Sequence, residues 1–215
     1  MKHAVLVSLS ILFASAALAQ TPQPVAGKDY TEIPNGKPLD PVAGKIVVEE
    51  MFNYVCPACN AFEPRFVAWT KKLPPYVAVV HIPASFRPDF VQYAHAFYAA
   101  QAFNLVDKTH EAVYDAVHAK KTLPAEGQKP DEDKIAAFYA GYGVDKTQFL
   151  SAMQSFGVDV KTRRATEYMT RAKVPATPTL IVNGRYLVKG STNDESLSIA
   201  SALIEKEHSA GAPGH

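Results

Sequence analysis

Two cysteines separated by two residues are the side chains of this sequence best suited to chemistry. Cys56 and Cys59 are the two cysteines of the 215-residue chain, in the order Cys56-Pro57-Ala58-Cys59. Such a pair can cycle between dithiol and disulfide, supply two zinc ligands, or form a structural crosslink. In the chain-entropy model a disulfide closing this short loop gives about 2 kcal/mol, against nearly 5 kcal/mol for a loop of about 100 residues. The short spacing therefore disfavours a structural crosslink.

A zinc site built on the cysteines needs further ligands, and the sequence offers no second cysteine pair. The histidines beyond residue 19 are His81, His95, His110, His118, His208 and His215. Their spacing contains no His-x(3–5)-His pattern of the zinc type. The sequence therefore predicts a redox-active dithiol with no metal ligand and no cofactor, although a metal carrier remains an alternative.

The elements on either side of the cysteines determine their reactivity. Residues 45–54 are β-branched and aromatic and predict a buried strand, and apolar residues at helical spacing predict a helix from 58 to 72. Pro57 suits the first turn of that helix. The free N–H groups of a helix N-terminus favour a thiolate, so Cys56 is the predicted nucleophile. Cys59, one turn later, would resolve the mixed disulfide.

The rest of the chain predicts an α/β fold with a helical insertion. A second strand covers residues 76–82, helices occupy about 88–172 around a loop at 120–133, and Asn183-Gly184 joins hairpin strands 179–182 and 185–188. A last helix follows at 193–207. Four apolar stripes in the insertion are predicted core: Phe90, Ala94, Phe97, Tyr98, Ala102 and Leu105; Ile135, Phe138, Tyr139 and Tyr142; Phe149, Leu150 and Met153; Ala165, Tyr168, Met169 and Ala172.

The two ends of the sequence differ from this central domain, which we place at residues 45–207. Residues 1–19 carry an early lysine, a short apolar stretch and Ala17-Leu18-Ala19, the pattern of a cleavable secretory signal peptide. A Pro-rich extended lead-in with a short edge strand at 30–33 follows over residues 20–44, and residues 208–215 form a flexible tail. Removing residues 1–19 leaves equal numbers of basic and acidic residues, which disfavours nucleic-acid binding.

Further motifs resemble those of the DsbA family of periplasmic disulfide oxidoreductases. They are Cys56-Pro57-x-Cys59, Val182-Asn183-Gly184, Gly27-Lys28-x-Tyr30 and an x-Pro dipeptide within Val174-Pro175-Ala176-Thr177-Pro178. The resemblance covers the chain beyond the signal peptide and implies a thioredoxin-like fold whose cis proline faces the dithiol. That proline lies five residues before the turn asparagine in the family, which selects Pro178 over Pro175. Thr177 would then offer its backbone to an extended substrate.

The resemblance also implies roles for single residues. Cys56 matches the family's exposed nucleophile and Cys59 its buried partner. Glu50 matches a buried acid under the dithiol that relays protons to Cys59, although the adjacent Glu49 leaves the register open. The family's usual dipeptide between the cysteines is Pro-His, so Pro57-Ala58 is a departure. Because Ala58 cannot stabilise a thiolate as histidine does, we expect a less oxidising protein than the His-bearing relatives.

These expectations combine into one function. The protein would be a periplasmic, monomeric oxidase that donates its disulfide to newly exported cysteine-containing proteins through a mixed disulfide at Cys56. The family implies reoxidation by a quinone-linked membrane partner of the DsbB type. A periplasmic reductase or isomerase with the same chemistry is the alternative.

Overall fold

The strands lie in two groups, one early and one late in the described chain, and helices occupy the interval between them. The structure is a computed structural model, and it describes residues 23–211. The strands are β1 (Tyr30–Glu32), β2 (Ile46–Phe52), β3 (Val77–Pro83), β4 (Thr179–Val182) and β5 (Tyr186–Val188). The helices are α1 (Pro57–Thr70), α2 (Pro88–Ala102), α3 (Val106–Tyr114), α4 (Glu132–Ala140), α5 (Lys146–Met153), α6 (Phe156–Arg171) and α7 (Asn193–Ser209). The predicted signal peptide and residues 212–215 lie outside the described residues.

The five strands form one mixed sheet in the order β1-β5-β4-β2-β3. Strand β2 runs parallel to β3 and antiparallel to β4, while β5 pairs antiparallel with both β4 and β1. All seven residues of β2 are buried, because it is an inner strand with apolar groups on both faces. The predicted α/β class and the buried strand leading to Cys56 are confirmed.

The interval between β3 and β4 contains α2 to α6 and no strand among its described residues. Most residues of the four predicted stripes are buried, but Ala102 and Tyr142 are exposed. Tyr142 leaves the core because α4 ends at Ala140 and the chain turns through Gly143, whose φ is +93°. No helix within residues 23–211 combines the length and apolar character needed to cross a lipid bilayer.

Two segments differ from the predicted boundaries. A π-helical turn, Asp115–Ala119, continues α3, and the N–H of Lys120 donates to the carbonyl of Asp115 at 2.8 Å. Such turns are rare and have no strong sequence pattern, so the sequence did not indicate it. At the other end, α7 extends to Ser209, two residues beyond the predicted end of the last helix.

The carboxylate of Glu49 ties the lead-in segment to the helical region. Its Oε1 accepts the backbone N–H of Leu39 at 2.6 Å, and its Oε2 accepts the hydroxyl of Tyr168 on α6. Burial raises the pKa of Glu49 to about 7, although these two hydrogen bonds oppose the shift. The protonated carboxyl group is therefore the form that the fold favours.

We predict that Glu49 makes the protein less stable as the pH rises. Because its folded pKa is raised, its stabilising contribution is fully present below about pH 4.5 and is lost as the pH rises through about 7. Glu49→Gln mimics the protonated acid. The difference in unfolding free energy between Glu49→Gln and wild type should therefore rise by about 3 kcal/mol, in favour of the variant, between pH 4.5 and pH 8. Denaturant unfolding at several pH values measures this.

The exposed carboxylate of Glu167, also changed to glutamine, is the matched control and should follow the wild-type profile. A constant difference between Glu49→Gln and wild type across this pH range would contradict the prediction.

Candidate active site

Asn53 positions the loop between β2 and α1, which carries Cys56. This side chain is fully buried. Its Nδ2 donates to the carbonyl oxygens of Ala84 at 2.8 Å and Phe90 at 3.1 Å, and its Oδ1 accepts the N–H of Val55 at 3.1 Å. One amide thus joins the loop to the end of β3 and to α2. Asn53 was not predicted from the sequence, although a polar residue directly after a buried strand is a usable signal.

Cys56 is the N-cap residue of α1, and Pro57 is the first helical residue. The Cys56 Sγ accepts the backbone N–H of Cys59 at 3.4 Å, as a capping side chain does. The sulfur therefore faces the positive end of the helix dipole. This is the placement predicted from the strand-to-helix order.

The environment of Cys56 favours its thiolate. Hydrogen bonding with the Cys59 side chain lowers the pKa of Cys56 to about 6; burial opposes this shift, and Thr177 and the backbone N–H groups of Cys59 and Ala58 reinforce it. The ordinary value is near 9. Most of the Cys56 side chains are therefore ionised at neutral pH.

Cys59 has the opposite character. It is fully buried, whereas Cys56 is 7% exposed, and both cysteines are free thiols in this structure. Burial raises the pKa of Cys59 far above its usual range, and the neighbouring Cys56 raises it further. Cys56 is therefore a slightly exposed thiolate, and Cys59 is a fully buried, protonated thiol.

The segment before β4 faces Cys56. Within residues 23–211 the cis peptide bond lies between Thr177 and Pro178, the proline selected by its distance from Asn183, and not at Pro175. The Cys56 Sγ lies 3.4 Å from the carbonyl oxygen of Thr177. A cleft of about 410 Å³ extends from this segment, with Pro175, Pro178 and Phe62 in its wall. Backbone and apolar surface thus adjoin the reactive sulfur.

The two residues between the cysteines are exposed. Pro57 occupies the first helical position and donates no hydrogen bond. Ala58 acts on Cys56 only through its backbone N–H, which lowers the pKa of that thiol. Its methyl group adds neither a charge nor a hydrogen-bond donor, so Ala58 leaves the thiolate without the help that a histidine would provide.

The adjacent acids Glu49 and Glu50 lie on opposite faces of the sheet. Successive residues of a strand alternate between faces, and Glu49 contacts Tyr168 of α6. Glu50 pairs in register with His81 of β3, and its Oε2 lies 2.7 Å from the His81 Nδ1. The structure thus separates the two acids that the sequence left ambiguous. Among residues 23–211 no hydrogen bond joins Glu50 directly to Cys59.

Glu50 belongs to a larger group of buried polar side chains, which we call the Glu–His cluster: Glu50, Glu63, His81 and His110. Glu63 lies on α1, four residues after Cys59 and therefore on the same helix face. Its Oε1 is 3.5 Å from the His110 Nε2, while the His110 Nδ1 is 2.8 Å from the Tyr54 hydroxyl. Glu63 was not predicted from the sequence, and His81 and His110 were considered as zinc ligands but set aside because their spacing lacks the zinc pattern. The i, i+4 spacing from Cys59 could have indicated Glu63.

An acidified thiol at a helix N-terminus, a buried partner thiol one turn away and a facing cis proline define a thiol:disulfide oxidoreductase on a thioredoxin-like sheet. Comparison with known proteins narrows this class. The family model for the DSBA-like thioredoxin domain matches residues 47–201. The chain therefore belongs to the DsbA-like family, and its predicted thioredoxin-like fold and oxidoreductase activity are confirmed.

Relatives and solved structures agree with this assignment. The thiol:disulfide interchange protein DsbA of Pseudomonas aeruginosa is 36% identical over 208 residues, which cover 95% of each chain. The corresponding protein of Azotobacter vinelandii is 34% identical over 206 residues, 93% of each chain. The crystal structure of the oxidoreductase DsbA from Xylella fastidiosa superposes with a TM-score of 0.82 at 36% identity, covering 87% of this chain and 99% of that one.

We predict that the reduced protein titrates one thiolate with a midpoint near pH 6. At pH 7 about 90% of Cys56 should be ionised, because the midpoint lies about one unit lower. Ultraviolet absorbance of the thiolate, followed against pH, measures this. Oxidised protein is the control and should show no such step. A single midpoint near pH 9, or two equal steps below pH 9, would contradict the assignment of an ionised Cys56 and a protonated Cys59.

We also predict that Ala58→His makes the protein more oxidising. A histidine beside the helix N-terminus can donate to the Cys56 thiolate or place a positive charge near it, which stabilises the reduced form. The equilibrium constant with glutathione should shift about three- to tenfold towards reduced protein. Ala58→Gln, which adds an amide without the ring or its charge, is the control. An unchanged or opposite shift in Ala58→His would refute the role assigned to this position.

Proposed function

We propose that the protein is a periplasmic oxidase that donates the Cys56–Cys59 disulfide to newly exported, cysteine-containing proteins. The asymmetry between the two sulfurs carries this proposal. Cys56 is the more accessible thiol, has a pKa lowered to about 6, and lies 3.4 Å from the carbonyl oxygen of Thr177. A stable Cys56 thiolate makes the reduced dithiol favourable and the disulfide a good electron acceptor.

The reaction begins with the oxidised protein. A substrate thiolate attacks the Cys56 sulfur, the Cys56–Cys59 bond breaks, and Cys59 leaves as a thiolate that takes up a proton. A second substrate thiolate then attacks the substrate sulfur of the mixed disulfide and releases the Cys56 thiolate. The substrate loses two electrons and gains a disulfide, while the protein gains both electrons. The low pKa of Cys56 makes it the better leaving group in the second step.

Thr177 and Pro178 are the proposed substrate-binding residues. An extended substrate segment can align with the backbone of Thr177 beside the Cys56 sulfur, as strands add to a sheet edge. The adjoining cleft, with Phe62 and Pro175 in its wall, offers apolar surface to the neighbouring side chains. Backbone recognition of this kind tolerates many sequences, which suits an enzyme acting on varied unfolded chains.

Glu50 is the proposed redox-tuning acid that supplies the proton to Cys59. Glu50 and Cys59 are both fully buried, so water has little access to either side chain. Glu63, which belongs to the same cluster as Glu50, follows Cys59 by one helical turn on α1. The cluster therefore begins beside the buried thiol, which supports a buried acid as the proton source for Cys59.

Export, reoxidation and oligomeric state complete the proposal. The apolar N-terminal segment with its Ala-x-Ala motif supports export and cleavage after residue 19. Membership in the DsbA-like family supports reoxidation by a quinone-linked membrane protein of the DsbB type. We propose that the protein acts as a monomer and with no cofactor beyond its own cysteines.

Trapping of clients tests the mechanism. In Cys59→Ser the Cys56 thiolate can still attack a client disulfide and release one client sulfur as a thiolate, but no thiol at position 59 can then displace the client. Mixed disulfides through Cys56 should therefore accumulate in the periplasm of producing cells. Diagonal electrophoresis under non-reducing and then reducing conditions measures them. Cys56→Ser, which keeps the buried thiol, is the matched control and should trap at least about tenfold less, because Cys59 is protonated and covered. Equal trapping by both variants would refute the assigned roles.

A reductase or isomerase remains the second candidate because Ala58 lacks the thiolate-stabilising group of the usual dipeptide. The redox state of the Cys56–Cys59 pair in living cells separates the two functions. We expect the pair to be mostly oxidised, as thiol alkylation of rapidly acid-quenched cells would show. A mostly reduced pair would favour the reductase or isomerase.

A further inference from the structure

The Glu–His cluster leaves several buried polar atoms without partners. Glu50 is fully buried and Glu63 is 5% exposed, yet Oε1 of Glu50 and both carboxylate oxygens of Glu63 lack a hydrogen bond. The Nε2 of His110, which is 7% exposed, also lacks one. Native proteins satisfy nearly all such groups, so several in one place indicate a missing partner. Each of these four atoms has a lone pair, or gains one on losing a proton, so water or a metal ion could bind there.

The charges of the Glu–His cluster also favour a bound cation. Two buried carboxylates face two imidazoles, and the ion pairs of Glu50 and Glu63 within residues 23–211 are with His81 and His110 alone. Without protons on the imidazoles, two negative charges lie in a region of low dielectric, which is costly. One divalent cation would balance both carboxylates and leave the imidazoles neutral.

The geometry suits a first-row metal. Donor atoms of Glu50, His81 and His110 all lie within 4.8 Å of one another. A tetrahedral zinc site with metal–ligand distances near 2 Å separates its donors by about 3.3 Å, so small side-chain movements would suffice. Glu63 is not part of this group of three, but its Oε1 lies 3.5 Å from the His110 Nε2, so a side-chain movement would make it the fourth donor. Two imidazoles and two carboxylates form a donor set that zinc accepts.

The surroundings resemble the outer sphere of a metal site. The His110 Nδ1 lies 2.8 Å from the Tyr54 hydroxyl, which orients the ring; with the proton on Nδ1, the Nε2 lone pair is free for a ligand bond. Two clefts reach the cluster. One, of about 520 Å³, is lined by Glu63 with Glu111 and Asp115, and another, of about 310 Å³, by His81 and Asp107. Acidic groups in both clefts favour the approach of a cation.

We propose that Glu50, Glu63, His81 and His110 form a buried binding site for a divalent cation of the zinc type. The site contains no sulfur ligand and begins one helical turn beyond Cys59 on α1. It shares Glu50 with the proposed proton transfer to Cys59, so that transfer belongs to the metal-free protein. Its four ligands come from β2, α1, β3 and α3, so a bound cation crosslinks the strand and the helix that carry the dithiol.

Zinc binding by the full chain with both cysteines changed to serine tests this site without interference from the dithiol. Zn²⁺ alone should bind to Cys56→Ser/Cys59→Ser at one ion per chain and raise its thermal midpoint, since a ligand of the folded state stabilises it. Co²⁺ should give the visible absorption of a tetrahedral complex with nitrogen and oxygen ligands. Because this variant has no disulfide chemistry, the result is independent of the proposed oxidase function.

Further substitutions in the same background locate the ion. His81→Gln and Glu63→Gln should each weaken Zn²⁺ binding at least about tenfold, because each removes one ligand. His208→Gln, which changes a histidine exposed on α7, is the control and should bind as its parent does. Circular dichroism checks that each variant folds. Two ligand variants are used so that the test still holds if one of them does not fold.

The proposal is overturned if the folded parent binds no stoichiometric Zn²⁺. Binding that is unchanged in a folded ligand variant, or that His208→Gln abolishes, would overturn it equally. Loss of binding confined to His81→Gln and Glu63→Gln, with a thermal midpoint that no longer responds to Zn²⁺, supports it.

Discussion

The first turn of α1 must expose the sulfur of Cys56 to substrates while it keeps the sulfur of Cys59 buried, and much of the fold maintains this arrangement. Cys56 caps the helix and gains the field of its free N–H groups, whereas Cys59 lies one turn deeper among apolar side chains. The helix can keep this orientation only because it is fixed against a rigid sheet. Strand β2, buried along its whole length between β3 and β4, provides that support.

The same inner strand also carries two buried acidic side chains, Glu49 and Glu50. Alternation along β2 sends Glu49 towards α6 and Glu50 towards β3 and α1, so two adjacent acids have unrelated surroundings. One holds the lead-in segment through hydrogen bonds to Leu39 and Tyr168, and the other lies in the Glu–His cluster. Buried carboxylates on both faces of a central strand are costly, which is why each has specific polar neighbours.

The sequence was sufficient for features that depend on local pattern. The spacing of Cys56 and Cys59 and the strand before them indicated the dithiol and its placement. The cis peptide bond was implied by the resemblance to the DsbA family, through the distance from Pro178 to Asn183. Features that depend on contacts between distant segments were not accessible in this way. Asn53, Glu63, His81 and His110 carry no common motif, since their neighbourhood arises only when β2, β3, α1 and α3 fold together.

Asn53 has a mechanical consequence. Its single amide group bonds the loop before Cys56, the residue after β3 and the first turn of α2. The helical region can therefore not shift relative to the sheet without breaking a bond to the loop that aims the reactive sulfur. The contact between the helical region and the sheet therefore lies in the same loop as the reactive thiol, so a displacement of α2 would also move the backbone next to Cys56.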